Sequence, residues 1–228
     1  MLVAAAACPC PPLLVPEVAA GAAPELDAAR AACDEAIEAL LAAEPDLVWI
    51  IGEGPNTRVH EPGARGSFRP FGVDLDVRLG AAGSEAVEET LPPSLSVGAW
   101  LLARAGWAGE VRGYEVAGDG AAFTGAADAE RVGFLVMGDG TACRTLKAPG
   151  YLDARAEGVD AAVAAALRDL DVDGTLANLD ADLARELKIS GRAPWQLLSA
   201  AWGGRDGTGR LLYEDAPYGV GYFVASWT

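Results

Sequence analysis

The stretch DLVWIIG at residues 46–52 decides how this chain folds. Its run Leu47, Val48, Trp49, Ile50, Ile51 is apolar without alternation, opens after an Asp and stops at a Gly. A run this short reads as a strand buried on both faces, the habit of parallel sheets covered by helices. Upstream, residues 24–43 carry helix signals. Pro24 suits a first helical position, Glu25 and Asp27 fall in the first turn, and Leu26, Cys33, Ile37, Leu40 and Leu41 trace an apolar stripe. Further upstream, LVAAAAC at 2–8 is a second apolar run that stops at CPCPP, a buried strand entering a rigid loop. Strand, helix and strand at this spacing predict a parallel crossover unit.

The same reading extends downstream. Glu53 to Gly72 is rich in Gly, Pro, Asn and Arg and has no period, which predicts a long loop after a strand end, the kind that inside a compact domain is usually functional or disordered. DLDVRL (74–79), EVRGYEV (110–116) and VGFLVMG (132–138) read as strands, and 94–106 as a helix opened by the turn LPPS. Helices are predicted at 151–169, 179–188 and 193–202, and strands at 210–215 and 219–227, where aromatic and β-branched residues gather. No repeat or Ser- and Pro-rich linker interrupts the chain. The order predicts one α/β domain over 1–228, with a mixed central β-sheet flanked by helices.

Composition narrows the function classes. The chain has 228 residues, 51% of them apolar, and 17 Lys and Arg stand against 33 Asp and Glu for a net charge of −16. A pI near 4.3 excludes a nucleic-acid partner and disfavours an anionic membrane surface, since both are bound through clustered cations. No run approaches the ~18 apolar residues of a membrane span. The opening MLVAAAAC lacks the basic flank of a secretory signal, so the expected address is the cytoplasm. Cys8, Cys10, Cys33 and Cys143 are too few for a disulfide scaffold and are expected as reduced thiols.

Motifs with chemical meaning are sparse. Asp169-x-Asp171-x-Asp173-Gly174, with Asp180 at the twelfth position, fits the spacing of a calcium loop, although that position normally holds a longer Glu. The plain alternative is an Asp-rich turn between helices. GEG at 52–54 follows a strand but opens no helix that could face a pyrophosphate, and GDG at 118–120 and 138–140 reads as turns. His60 is the only histidine, which rules out any site needing two imidazole ligands. Cys10 lies just past a strand end, where open α/β sheets place ligands, and can equally be a small packing residue.

Several segments taken together resemble one family. PCPPLLVPEVAAG (9–21), VHEPGARGSFRPFG (59–72), MGDGTACR (137–144), LANLDADLARELKISGR (176–192) and YEDAPYGVGYFVASW (213–227) are similar, in order, to segments of the class III extradiol ring-cleavage dioxygenases. The similarity is to the branch of the catalytic β-subunit of protocatechuate 4,5-dioxygenase (LigB-like), which shares its fold with Memo-type proteins. The resemblance implies that fold, and an Fe(II) centre built from two His and one Glu with a further His as acid/base. Carried over residue by residue, the first ligand position is Cys10, the second falls near Gly54 or Pro55, the carboxylate near Lys188 or Ile189, and the acid/base position is Cys143. His60 matches a pocket-loop histidine, not a ligand.

Every iron-bearing position is thus replaced, so the expectation is no metal ligand set and no Fe(II) cofactor. The function expected is a degenerate member of the family that binds a small organic molecule or a partner. The alternative is an oxidoreductase with a non-standard metal site, or one re-equipped with Cys10 and Cys143 as a thiol pair and His60, Glu53 or Asp139 as proton carriers. Glu53, Arg58, Asp139 and Arg144 are the candidate ligand-binding residues. With Arg65 and Arg69, Arg58 and Arg144 bring positive charge to the expected pocket, which points to an organic acid as ligand. A homodimer is the default assembly implied by the family.

Overall fold

A computed structural model describes residues 1–80, 90–118, 120, 122–125 and 129–228. Its strands are β1 (Leu2–Cys8), β2 (Leu47–Glu53), β3 (Arg58–His60), β4 (Arg65–Ser67), β5 (Asp76–Arg78), β6 (Glu110–Val116), β7 (Val132–Met137), β8 (Gly209–Asp215) and β9 (Tyr222–Trp227). Its α-helices are α1 (Pro16–Ala19), α2 (Asp27–Ala42), α3 (Pro93–Arg104), α4 (Ala156–Asp169), α5 (Ala181–Leu187) and α6 (Arg192–Trp202). The main sheet runs β3-β6-β2-β7-β1-β9-β8, and β4 and β5 form a separate two-stranded ribbon. The four central strands β6, β2, β7 and β1 are parallel. Antiparallel β3 borders them on one side and the β9–β8 pair on the other. This is the expected single α/β domain with a mixed sheet flanked by helices.

Two layers of apolar side chains cover the sheet, and strand alternation assigns residues to each. Leu47, Trp49 and Ile51 of β2, with Phe134 and Val136 of β7, pack into the layer that holds Val163 and Leu167 of α4 and Trp195 and Leu198 of α6. Val48 and Ile50, with Leu135 and Met137, pack into the opposite layer against Cys33, Ile37 and Leu40 of α2 and Leu95 and Leu101 of α3. Leu47, Val48, Ile50 and Ile51 are fully buried, each worth roughly 2–3 kcal/mol of apolar transfer. Four of the seven residues of strand β1 are alanine. Its Ala4 and Ala6 share a layer with Ala29, Ala32 and Ala36 of α2, so small residues on both sides let helix and strand approach closely. Aromatic edges lock the other layer, with Trp202 against Trp227 at 5.4 Å between ring centres and the Trp227 indole N–H donating to the Leu167 carbonyl at 2.7 Å.

Three local expectations change. The helix expected from Pro24 begins at Asp27, and Pro24 sits in a 3-10 segment, Ala20–Leu26. The rigid loop after β1 holds a 3-10 turn at Pro12–Leu14 and the short α1. The loop expected over 53–72 contains β3, which extends the main sheet, and β4, which pairs with β5. Three-residue strands are too short to show a period, so their pairing is a tertiary outcome. Among the described residues no helix is long and apolar enough to cross a membrane.

Candidate functional site

All four parallel strands end on the same side of the sheet. The chain leaves β2 toward α3 in one layer and leaves β7 toward α4 in the other. Neighbouring strands whose outgoing connections part to opposite faces leave a crevice between their loops, where ligands of open α/β sheets bind. Glu53, the last residue of β2, and Asp139, two residues past β7, flank this crevice. Cys10, two residues past β1, lies beside it.

The floor is a tight polar cluster. The Cys10 backbone N–H donates to the Asp139 carboxylate at 2.8 Å, and the Cys10 sulfur lies 3.9 Å from the Ser190 hydroxyl oxygen. The Asp139 N–H donates to that same hydroxyl oxygen at 3.0 Å, and the Gly191 N–H donates to the Asp139 carbonyl at 2.9 Å. The β7 loop and the start of α6 meet here through glycines. A Cβ on Gly138 would fall 2.3 Å from the Gly191 Cα, so this approach requires that residue to have no side chain.

Asp139 keeps part of its surface open, yet the protein around its carboxyl desolvates it. That desolvation pushes its pKa from 3.8 up to about 7, against the opposing hydrogen bonds from Cys10. Burial also pushes the Cys10 thiol well up, with the Asp139 charge adding to it. Tyr222 of β9, buried nearby, is raised first by burial and then by the charges of Asp139 and Cys10. At neutral pH the floor therefore offers a protonated thiol, a carboxyl near its titration midpoint and a hydroxyl.

A second buried carboxylate holds the Asp139 loop in place. Asp160 of α4 accepts from the Thr141 N–H at 2.8 Å, the Thr141 hydroxyl at 2.9 Å and the Arg144 guanidinium at 3.0 Å. It is fully buried, and these donors compensate its desolvation.

Ser190 joins this cluster to a cavity of about 510 Å³, lined by Glu53, Gly118, Ala181, Ala184, Arg185, Lys188, Ile189, Ser190 and Arg192. Helix α5 supplies much of the wall. Asp180 caps its N-terminus by accepting from the Leu183 N–H, and Lys188 ends it in the left-handed conformation, φ 57° and ψ 46°. Arg192 is braced by donating to the Leu179 carbonyl at 2.7 Å and to the Gly118 carbonyl at 3.2 Å. Burial raises the pKa of Glu53, and the neighbouring Arg192 charge opposes that rise.

The residues singled out from sequence divide into two groups. Cys10, Asp139 and Glu53 meet at the crevice. His60 does not: it lies on edge strand β3, four strand spacings of ~4.8 Å, or roughly 19 Å, across the sheet from the β1 end. It is fully buried, and its Nε2 bonds the Glu115 carboxylate at 2.8 Å. Glu115 also accepts from the Asn56 N–H and the Arg58 Nε. Burial works against its ionisation, but the hydrogen bonds from Arg58, His60 and Asn56 outweigh that and hold its pKa below the usual value. Gly54 packs against this carboxylate, where a Cβ would fall 2.6 Å from it.

Cys143 and Cys10 are not brought together as a pair. Cys143 packs in the α4–α6 layer and donates to the Leu187 carbonyl, whereas Cys10 packs in the α2–α3 layer. Burial raises the Cys143 thiol as well. The four arginines expected in the pocket are spread apart: Arg144 holds Asp160, Arg58 holds Glu115, Arg69 pairs with Asp74 and Asp76, and Arg65 is exposed on β4. The cations that do line the cavity, Arg185, Lys188 and Arg192, escape a reading of sequence because helix-end cations are ordinary. In the Asp169–Asp180 stretch, Asp171 accepts from the Gly174 and Thr175 N–H groups, Asp180 caps α5 and Asp169 pairs with Arg168. Of the GDG at 118–120, Asp119 lies outside the described residues.

The Fe(II) centre implied by the resemblance can be tested on this donor set. The first-ligand position offers a protonated thiol, the carboxylate position offers Lys188 or Ile189, and the only imidazole is committed to Glu115. Among the described residues no group of three or more His, Cys, Asp or Glu side chains could hold a metal ion. The residues present do not fit the iron. In comparisons with known proteins, no family model matches the chain and no curated protein matches it significantly.

Proposed function

We propose that this chain is a LigB-like homologue of the extradiol dioxygenases whose crevice binds a small organic molecule and does not cleave catechols with Fe(II). One observation carries the reading: the strand-end crevice keeps a cavity of small-molecule size, lined by Glu53 and Ser190, and Ser190 ties it to the polar cluster of Cys10 and Asp139. Lys188 and Ile189, near which the resemblance puts a carboxylate ligand, supply no carboxylate, and the Lys188 ammonium repels a divalent cation. The thiol-chemistry alternative lacks support, because a nucleophilic cysteine needs a lowered pKa and burial raises both Cys10 and Cys143.

The test is anaerobic loading of the purified protein with Fe(II), followed by desalting, metal analysis and a catechol assay with amide spectra recorded on the same sample. The expected result is iron far below one per chain, no ring-opened chromophore, and catechol-induced shifts of the Ile189 and Ser190 amides. About one tightly held iron per chain with turnover overturns the proposal.

A further inference from the structure

We infer that the cavity is an anion site, in which the Lys188 ammonium and the Arg192 guanidinium hold the carboxylate or phosphate head of a small organic ligand. This rests on the crevice being a binding site and names the class of ligand it takes.

Three observations converge. The first is charge. The lining carries Arg185, Lys188 and Arg192 against Glu53 in a chain whose net charge is −16. Arg185 pairs with Asp182, so Lys188 and Arg192 are the cations offered to a ligand, against Glu53 beside Arg192, a balance of 2 − 1 = +1. No acidic group lies within ion-pairing distance of Lys188 among the described residues.

The second is placement. Lys188 ends α5 at φ 57°, a conformation in which a side chain is disfavoured and glycine is the usual occupant. The chain has only two lysines, and one of them occupies this position on the cavity wall. Leu170 ends α4 in the same conformation at φ 55°, so this is an ordinary way to end a helix, and here it sets a lysine on the cavity wall.

The third is preorganisation. The Nε and one Nη of Arg192 are anchored on the Leu179 and Gly118 carbonyls, which fixes the plane of the guanidinium and leaves its other Nη for a ligand oxygen. Lys188 adds a mobile point charge beside this fixed fork. The Ser190 hydroxyl on the same wall can bond a head-group oxygen.

The test uses the full chain labelled with ¹⁵N and titrated at pH 7.5 and constant ionic strength. The anionic probes are succinate, benzoate and inorganic phosphate, the neutral probes are phenol and benzamide, and sodium chloride is the salt control. At least one anion should shift the Ile189, Ser190 and Gly191 amides saturably at millimolar concentration or below, beyond the chloride control. Carboxylates responding alone, or phosphate alone, would each support the site and identify its head group. Lys188→Gly should weaken that binding at least tenfold without lowering the melting temperature, since glycine suits this backbone. Arg192→Gln should weaken it by a similar factor.

Anion affinity unchanged in both variants overturns the inference. If neutral probes alone shift these amides, the anion inference fails and the crevice reading stands. If no probe shifts them, both fail.

Discussion

Replacing Asp139 with Asn should make this protein more stable at alkaline pH and flatten part of its stability profile. The side chain sits in the crevice floor with its carboxyl desolvated and its pKa raised from 3.8 to about 7. Below pH ~4 the group is protonated in the folded and unfolded chains alike and contributes nothing to pH dependence. As pH rises from ~4 to 7 the unfolded chain ionises first, so it binds fewer protons than the folded chain and folding stability falls. Above pH 7 both states are ionised and the whole penalty is present. A shift of about 3 units at 1.36 kcal/mol each gives about 4 kcal/mol, of which about 3 kcal/mol falls between pH 5 and 8.

Asp139→Asn keeps an oxygen for the Cys10 N–H, which bonds Oδ1 at 2.8 Å, and removes the ionisation. Urea unfolding of both proteins at pH 5 and pH 8 measures the effect. Wild type should lose about 3 kcal/mol more than Asp139→Asn across that interval. Glu53, also raised by burial, leaves a residual slope in both proteins and cancels in the comparison. Profiles that run parallel within about 0.5 kcal/mol would show that Asp139 titrates normally and that the floor is not desolvated.

Asp160→Ala should cost about 3–5 kcal/mol in urea unfolding, because it strands the Thr141 donors and the Arg144 guanidinium that now share one buried carboxylate. Gly138→Ala should destabilise by about 1–3 kcal/mol, since its Cβ would meet the Gly191 backbone at 2.3 Å, and hydrogen exchange should show protection lost first at the start of α6. Lys188→Gly should raise stability by about 1 kcal/mol in the same urea assay through relief of the left-handed backbone. A loss of stability there would show that the Lys188 side chain is packed into the fold and not held out for a ligand.

The fold was legible where burial is continuous. DLVWIIG and VGFLVMG needed only their unbroken apolar character to be read as central strands, and they stand side by side as β2 and β7. Their adjacency was not legible. Nothing in either run says that β7 returns between β1 and β2 after β6 has been laid outside, because strand order is decided by which crossovers bury the most surface. The segment RVH at 58–60 was read as loop for a related reason. Its strand character comes from β6, which supplies the ladder, and from Glu115, whose buried carboxylate gathers Arg58, His60 and the Asn56 amide.

The site was legible in position and less so in role. Residues just past strand ends could be named because open parallel sheets put their crevice there, and Cys10, Glu53 and Asp139 meet at it. His60 and the expected arginines drew attention by residue type, and residue type is a weak guide when a charge can be spent on a structural partner. Arg144 and Arg58 each neutralise a carboxylate that the fold buries for its own sake, which removes them as free cations. Lys188 is the reverse case: an unremarkable letter near a helix end until its backbone is known. A lysine in a left-handed cap is less stable than a glycine there, as is Leu170 at the end of α4, and only Lys188 of the two lines the cavity. The crevice to which the resemblance assigns a metal cation is lined by Lys188 and Arg192, and the anion site proposed there would invert the chemistry that the resemblance implies.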